Sequence, residues 1–187
     1  MKHFLTCIAL LAFSLPSFGA PVSYALDKSN SSVTYQVMFG QDPINGTLPI
    51  GSAQIALDFE ENARSSVAVT LNTTGATASF PFAQQAMRGP KVLDAKRHPT
   101  LTFKTTNMKL ETPKARVVGQ VTIRGVTRPV TLDAEVYRQK GSAEGDFSRM
   151  AAHLTGSVNR SDFGADGWSD MVSDKITIKI VARMTRQ

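Results

Sequence analysis

Apolar and polar residues alternate along most of this sequence, and that pattern constrains the fold more than any other feature of the chain. Successive side chains of a β-strand point to opposite faces of a sheet, so alternation is typical of strands with one buried face. The alternating segments are 33–39, 55–59, 67–71, 101–103, 121–123, 130–136, 152–158 and 176–182. Turn-forming sequences separate most of these segments, including Gly51-Ser52, Glu61-Asn62, Lys140-Gly141-Ser142 and 162–167. The sequence therefore predicts an all-β fold.

One segment departs from this pattern. Residues 82–87 (FAQQAM) predict a short helix in a long connection, because Pro81 can open it and Gly89-Pro90 can end it. The chain has 187 residues, of which 42% are hydrophobic and 19% charged, and no Gly-, Ser- or Pro-rich linker divides it. We therefore expect one globular domain. Eight strands can bury their apolar faces as a two-sheet sandwich or as a closed antiparallel barrel, and periodicity does not separate the two.

The N-terminus has the pattern of a secretory signal peptide. Lys2 precedes an apolar run over residues 4–13, and small residues follow at Ser17 and Gly19. This order of a basic start, an apolar run and a small-residue cleavage site predicts a signal peptide at residues 1–19. The apolar run is too short to anchor the chain in a bilayer.

Cleavage would leave residues 20–187 as the mature domain, without the chain's single cysteine, Cys7. We expect this domain to be exported, either to the periplasm or to the medium, and not to be an integral membrane protein, although transient membrane contact stays open. The net charge of +6 favours anionic partners. The basic residues are scattered and not interleaved with aromatic residues, so we expect no nucleic-acid partner. The oligomeric state stays open, with a homodimer as one option.

Local signatures of catalysis and metal binding are missing from the sequence. It contains no HExxH, GxSxG or Gly-rich phosphate loop. His98 and His153 are isolated from each other, and Asp162-Phe163-Gly164 stands without the other kinase motifs. We therefore expect no catalytic residue, no metal and no cofactor, and we favour a binding protein over an enzyme.

Several groups of residues, spread over the mature chain, form a recognisable set. They are 24–27 (YALD) with 31–35 (SSVTY), 92–99 (VLDAKRHP) before 101–103 (LTF), 119–130 (GQVTIRGVTRPV), 159–164 (NRSDFG) and 172–176 (VSDKI). The set resembles the YceI family of exported lipid-binding proteins. Gly46-Thr47-Leu48 departs from the Gly-x-Phe that the family often has, and Phe39-Gly40 stands where a histidine is often found.

The resemblance implies a lipocalin-like closed antiparallel β-barrel of about eight strands, with one short helix in a long connection. It implies a non-enzymatic protein that holds a long-chain apolar lipid, such as a polyisoprenoid, in the barrel interior for sequestration or transport. One alternative is an enzyme or redox accessory protein that acts on an isoprenoid lipid such as a quinone. A structural or adhesion module that uses the outer barrel surface is another.

Candidate site residues follow from this reading. The pocket candidates are inward-facing or connection residues with large apolar side chains: Tyr35, Val37, Phe39, Phe80, Phe82, Met87, Leu93, Phe103, Phe163 and Trp168. Four of them, Phe80, Phe82, Met87 and Leu93, lie on the helical connection and are expected to cap the barrel mouth. Arg88, Lys91 and Arg160 are candidates for contact with an anionic head group, since arginine can hold a phosphate bidentately. The competing hypothesis is that Arg88 and Lys91 are solvated and that Arg160 pairs with a carboxylate such as Asp162.

Overall fold

The computed structural model describes residues 19–187, so the predicted signal peptide lies outside the described residues except for Gly19. Ten strands and one α-helix make up this part of the chain, with short 3-10 turns at Lys28–Asn30, Asn62–Arg64 and Arg160–Phe163. The strands are β1 Val22–Leu26, β2 Ser32–Phe39, β3 Asp42–Thr47, β4 Ile50–Leu57, β5 Ser66–Asn72, β6 Thr100–Glu111, β7 Lys114–Ile123, β8 Val126–Arg138, β9 Arg149–Asn159 and β10 Lys175–Arg186. The helix α1 spans Pro81–Arg88.

Eight of the strands close into a ring. The order is β1-β4-β5-β6-β7-β8-β9-β10, and β10 returns to pair with β1. Every pairing in the ring is antiparallel. The prediction of a closed antiparallel barrel of about eight strands is confirmed, and closure removes the exposed strand edges that an open sheet would have.

One edge of β10 pairs with two different strands. Its last residues pair with β1, as in Met184 with Leu26, and its first half pairs with β2, as in Ile178 with Tyr35. β2 in turn pairs with β3, so these two strands form a hairpin that extends beyond the ring. Residues before α1 cover the outer edge of β3, where the Thr77 N–H donates to the Thr47 carbonyl over 2.9 Å.

The inward side chains of the ring form one main hydrophobic core. Val117, Leu132 and Met150 are among its buried members. A second, smaller cluster joins Val37 and Ile44 of the β2–β3 hairpin to Ala83 of α1. The hairpin and the helix therefore form an apolar layer of their own over one end of the barrel.

The eight strands predicted from alternation are all present, and the predicted helix is found one residue longer at each end. Gly51-Ser52 was wrongly predicted as a turn. Both residues lie within β4, where the register against β5 shifts between Ile50 and Ser52 as in a β-bulge. β1 and β3 are not among the strands that alternation predicts. β3 contains Pro43, which a terminal strand tolerates because a backbone N–H on the unpaired side of the strand is not needed.

Candidate functional site

An apolar cavity of about 370 Å³ lies at the end of the barrel where β6 and β10 begin and β7 and β9 end. Leu101, Ile123, Val158 and Ile178 line it from these strand ends. Arg160 is the only residue with a charged side chain among the described residues that line it. The volume falls within the range of about 300–1,000 Å³ that is usual for small-molecule sites.

Most of the predicted pocket residues come together at this cavity. Those that line it are Tyr35, Val37, Phe39, Phe80, Phe82, Met87, Leu93 and Trp168. They come from β2, from the connection that contains α1 and from the loop before β10, which are distant in sequence. Their contact with a ligand stays a prediction.

Phe103 and Phe163 do not line the cavity. Phe103 lies two residues further along β6 than Leu101, and its ring covers the backbone of Gly119 on β7, where it is partly buried against the main core. Phe163 ends the 3-10 turn Arg160–Phe163 and is only 2% exposed, also within the main core. Alternation predicts which side chains point inward, but it does not tell how far along the barrel axis each one lies.

Other lining residues were not among the candidates. They are Ile44, Leu48, Ala83, Ala86, Val92, Leu101, Ile123, Val158, Gly167, Met171, Val172, Ile176 and Ile178. Several of them could have been predicted from alternation, because they occupy inward-facing positions at the strand ends nearest the helical connection. The β3 positions carry no such signal, because their strand was not predicted.

The connection that contains α1 is fixed by bonds to the barrel. α1 starts with Pro81 at its first turn and turns Ala83, Ala86 and Met87 toward the cavity. Beyond the helix, the Arg124 guanidinium donates to the carbonyls of Pro90 and Val92, each over 2.7 Å. Arg124 belongs to the tight turn between β7 and β8.

Arg160 holds the loop on the opposite side of the mouth. It is 5% exposed and donates to four backbone carbonyls, those of Ala165, Gly167, Val172 and Ser173, over 2.6–3.0 Å. The predicted pairing with Asp162 is therefore replaced by bonds to carbonyls. Because four hydrogen bonds occupy most of its five N–H donors, Arg160 lacks the free pair that a bidentate phosphate contact needs, and the head-group role does not fit it.

Asp174 closes the same loop at its end. The Ser161 hydroxyl and backbone N–H both donate to the Asp174 carboxylate, over 2.7 and 2.8 Å. These bonds hold the pKa of Asp174 below its ordinary value. The loop is therefore fixed at its centre by Arg160 and at its end by this pair.

Tyr35 brings a hydroxyl to the cavity wall. The hydroxyl donates to the Thr77 carbonyl over 2.8 Å and lies against the sulfur of Met87. Burial raises the pKa of Tyr35 to about 12, although the nearby Arg88 charge opposes the shift. The hydroxyl is therefore protonated at neutral pH and already has an acceptor.

Arg88 and Lys91 lie beside the cavity and not on its wall. Arg88 is half-buried, and its Nε donates to the Ala76 carbonyl over 2.7 Å. Lys91 is exposed, and its Nζ lies 5.6 Å from the centre of the Trp168 ring. The structure thus places one of the two basic residues near Tyr35 and the other near Trp168.

The two loops meet at the mouth. The Phe82 and Trp168 rings make an edge contact with centroids 6.5 Å apart, and the Gly167 N–H donates to the Lys91 carbonyl over 3.0 Å. Trp168 has a φ of 57°, a left-handed conformation that is unusual for a large side chain. The mouth is therefore formed by direct contacts between α1, its following turn and the loop that Arg160 holds.

A larger concavity of about 710 Å³ lies on the outer face of β6–β9. Its walls carry charges of both signs that pair across strands, as Arg116 and Asp133 do over 3.0 Å. Exposed ion pairs of this kind are screened by water and salt and contribute little energy. The smaller, apolar cavity is the one that most of the predicted pocket residues line, so it is the candidate functional site.

Residues 19–187 contain neither a cluster of metal-ligating side chains nor a helix that could span a membrane. No group of three or more His, Cys, Asp or Glu side chains within them is arranged to hold a metal ion. None of the helices in this part of the chain has the length and apolar character needed to cross a membrane.

Comparisons with known proteins agree with this architecture. Residues 24–184 match the model of the YceI-like domain family. Protein YceI of Escherichia coli O157:H7 is 28% identical over 158 residues, which cover 83% of this chain and 82% of that protein. A UPF0312 protein of Pectobacterium atrosepticum is 23% identical over 184 residues, covering 98% of this chain and 95% of the relative.

Solved structures show the same fold. The crystal structure of Burkholderia cenocepacia BcnA superimposes with a TM-score of 0.76 at 22% identity, covering 85% of this chain and 99% of that one. A Campylobacter jejuni YceI protein gives a TM-score of 0.60 at 21% identity, covering 100% of this chain and 99% of the other. Because the family match extends over residues 24–184, the chain belongs to the YceI-like domain family.

Proposed function

We propose that this protein is an exported, non-enzymatic carrier that holds a long-chain apolar lipid, preferably a polyisoprenoid, in the cavity at the barrel end. The observation that carries the proposal is the composition of the cavity wall. Its residues are nearly all aliphatic or aromatic, and its one charged side chain, Arg160, is bonded to backbone carbonyls. A YceI-like barrel with such a cavity fits a protein that binds hydrophobic ligands.

The energetics of this cavity favour an apolar chain. Each CH₂ group that leaves water contributes about 0.8 kcal/mol, so even part of a long chain gives useful affinity. A polar ligand would lose its hydrogen bonds to water and find few partners, which is costly in an apolar site. A flexible thioether such as Met87 and the rings of Phe80 and Trp168 can adapt to a branched prenyl chain.

The enzymatic alternative has less support. Catalysis on a lipid such as a quinone needs a polar or titratable group that faces the reacting atoms. The Tyr35 hydroxyl and the Arg160 guanidinium are the best-placed groups on the wall, and both donate to backbone carbonyls. A binding role therefore accounts for the arrangement more simply.

A cavity-filling variant tests the proposal. Ala86 lines the cavity from α1, so Ala86→Phe should occupy the space that the ligand needs and leave the barrel folded. Gln85→Phe is the matched control, because Gln85 is exposed on the same helix and does not line the cavity. Native mass spectrometry of each protein, purified from its own host and after reloading with a prenyl alcohol, measures occupancy.

We expect the wild type and Gln85→Phe to carry lipid and Ala86→Phe to carry at least tenfold less, with unchanged circular dichroism. Equal lipid occupancy in all three proteins would contradict the assignment of the cavity. A wild-type protein that is always empty would contradict the carrier function, and turnover of the bound lipid would favour the enzymatic alternative.

We also propose that Arg88 and Lys91 contact the anionic head group of a phosphorylated prenyl lipid. Both lie next to wall residues, Arg88 near Tyr35 and Lys91 over Trp168. Replacing both by Ala should weaken binding of a prenyl phosphate, more strongly at low salt than at high salt. Binding of the uncharged prenyl alcohol should barely change, and an equal loss for both ligands would mean that the pair only shapes the connection.

A further inference from the structure

Large apolar side chains are exposed around the cavity mouth. Among the described residues, Phe39, Phe80, Phe82, Tyr137 and Met171 are the exposed large hydrophobic residues, and all of these except Tyr137 also line the cavity. Phe82 is 67% exposed, and the other three mouth residues are 41–45% exposed. We call Phe39, Phe80, Phe82 and Met171 the rim.

The rim is assembled from separate parts of the chain. Phe39 ends β2, Phe80 and Phe82 flank the start of α1, and Met171 lies in the loop that Arg160 holds. Three independent segments thus expose apolar side chains around one opening. Apolar patches of this kind on a soluble domain mark an interaction surface.

The charges beside the rim indicate the nature of its partner. Lys91 stands beside Trp168, Asp170 stands beside Met171, and Asp42 lies close to Phe39 in sequence; all three are exposed. Charges of both signs give the rim no preference for an acidic or a basic macromolecule. A partner that binds mainly through charge therefore does not suit the rim, whereas an uncharged, apolar medium does.

We propose that the rim is a membrane-docking surface that inserts into the interfacial region of a bilayer with the cavity mouth facing the lipid. A second copy of the chain seated on the rim would seal the mouth, whereas a bilayer leaves the cavity continuous with a medium in which an apolar chain dissolves. Docking lets the ligand pass between bilayer and cavity without exposing its chain to water, where each CH₂ is unfavourable. This delivery step rests on the proposed function, but the docking itself does not.

Flotation with neutral phosphatidylcholine vesicles tests the docking. Phe82→Ser removes the most exposed rim side chain, whose position on the surface leaves the core intact. Tyr137→Ser is the matched control, because Tyr137 is an aromatic residue of β8 that is 43% exposed and does not line the cavity. We expect about tenfold weaker partitioning for Phe82→Ser, since burial of one Phe side chain accounts for such a factor, and wild-type partitioning for Tyr137→Ser.

The orientation is tested with Trp168, the only tryptophan of the chain. Vesicles with brominated acyl chains should quench its fluorescence in protein whose cavity is already filled with a prenyl alcohol, and Phe82→Ser should reduce the quenching. The proposal is overturned if the wild type does not float, if both variants float alike, or if Phe82→Ser only converts a dimer into a monomer. Lipid loading of the wild-type protein, measured without vesicles, separates the two proposals. Normal loading without flotation overturns docking alone. Flotation without loading overturns the carrier function alone.

Discussion

Four backbone carbonyls accept N–H groups from the Arg160 side chain, and they belong to the loop that forms one side of the cavity mouth. A buried charge is costly unless it is hydrogen-bonded, and here the loop supplies the acceptors. The bonds also stabilise the loop, because the buried carbonyls of Ala165 and Gly167 would otherwise lack this donor. Arg160 thus shapes the site through the loop and needs no contact with a head group.

Replacing Arg160 by Met should therefore destabilise the fold strongly. Two buried and two half-buried carbonyl contacts lose a charged donor, and the loss is about 3 kcal/mol or more. Arg116→Met is the control, because Arg116 forms an exposed pair with Asp133 that is worth less than about 1 kcal/mol. Urea unfolding followed by circular dichroism measures both. Similar free energies of unfolding for the two variants would show that the Arg160 bonds contribute little.

Tyr35 makes the stability of the protein depend on pH at the alkaline end. Its pKa is about 12 in the folded chain and about 10 when unfolded, so only the unfolded chain loses this proton as the pH rises from 10 to 12. The stabilisation is complete below pH 10 and should fall by roughly 2–3 kcal/mol across this window.

Comparison with Tyr35→Phe isolates this effect from other groups that titrate there. The variant lacks the hydroxyl that bonds to Thr77, so it should be less stable at neutral pH by about 1 kcal/mol. The difference between the two proteins should then shrink or reverse above pH 10. A difference that stays constant up to pH 12 would mean that Tyr35 ionises equally in both states.

At the scale of elements, alternation predicted β2 and every strand of the closed ring except β1. Each has one face buried in the core, as Val130, Leu132 and Ala134 of β8 show, and burial of one face produces alternation. The β3 strand was missed because Pro43 and Asn45-Gly46 resemble a turn. The bulge at Gly51-Ser52 was mistaken for a turn for the same reason.

The candidate site was predictable in part. The resemblance to the YceI family and the large apolar side chains of 80–93 pointed to the mouth residues that the structure brings together. Phe103 was misplaced because depth along the barrel axis depends on register and strand tilt, which alternation does not encode. Phe163 was misplaced because it lies on the 3-10 turn Arg160–Phe163, to which strand alternation does not apply. The role of Arg160 could not be predicted, because its acceptors are backbone atoms that carry no residue-specific signal.

The contact between β6 and β7 leads to a prediction about Gly119. A Cβ at this position would lie 2.5 Å from the Phe103 ring and 2.6 Å from the Lys104 carbonyl. Alanine gains about 0.4–1 kcal/mol by restricting the unfolded chain, but overpacking costs about 1–3 kcal/mol, so Gly119→Ala should be destabilising. Gln120→Ala, on the exposed face of the same strand, should change the free energy of unfolding by less than about 0.5 kcal/mol. A stabilising Gly119→Ala in thermal unfolding would show that the ring moves aside freely.

At the scale of the whole molecule, the barrel and the mouth are built differently. The ring is closed by backbone ladders and filled by the main core. The mouth depends on two loops that are held by side-chain bonds, notably those of Arg124, Arg160 and Asp174, and by isolated backbone bonds. Local opening is easiest where few such contacts must break.

Ligand binding should therefore change hydrogen exchange at the mouth and leave the ring unchanged. In the first minutes of exchange, peptides from 73–99 and 160–174 should gain protection when a prenyl alcohol is added. Peptides from β6–β9 should be protected in both states, since their amides exchange only through rarer, larger openings. Ala86→Phe provides the control, because its filled cavity should give no response to the alcohol. If early protection instead rises throughout β6–β9 when the alcohol is added, the ring is completed only when the ligand binds. That result would contradict a preformed barrel with a ligand-responsive mouth.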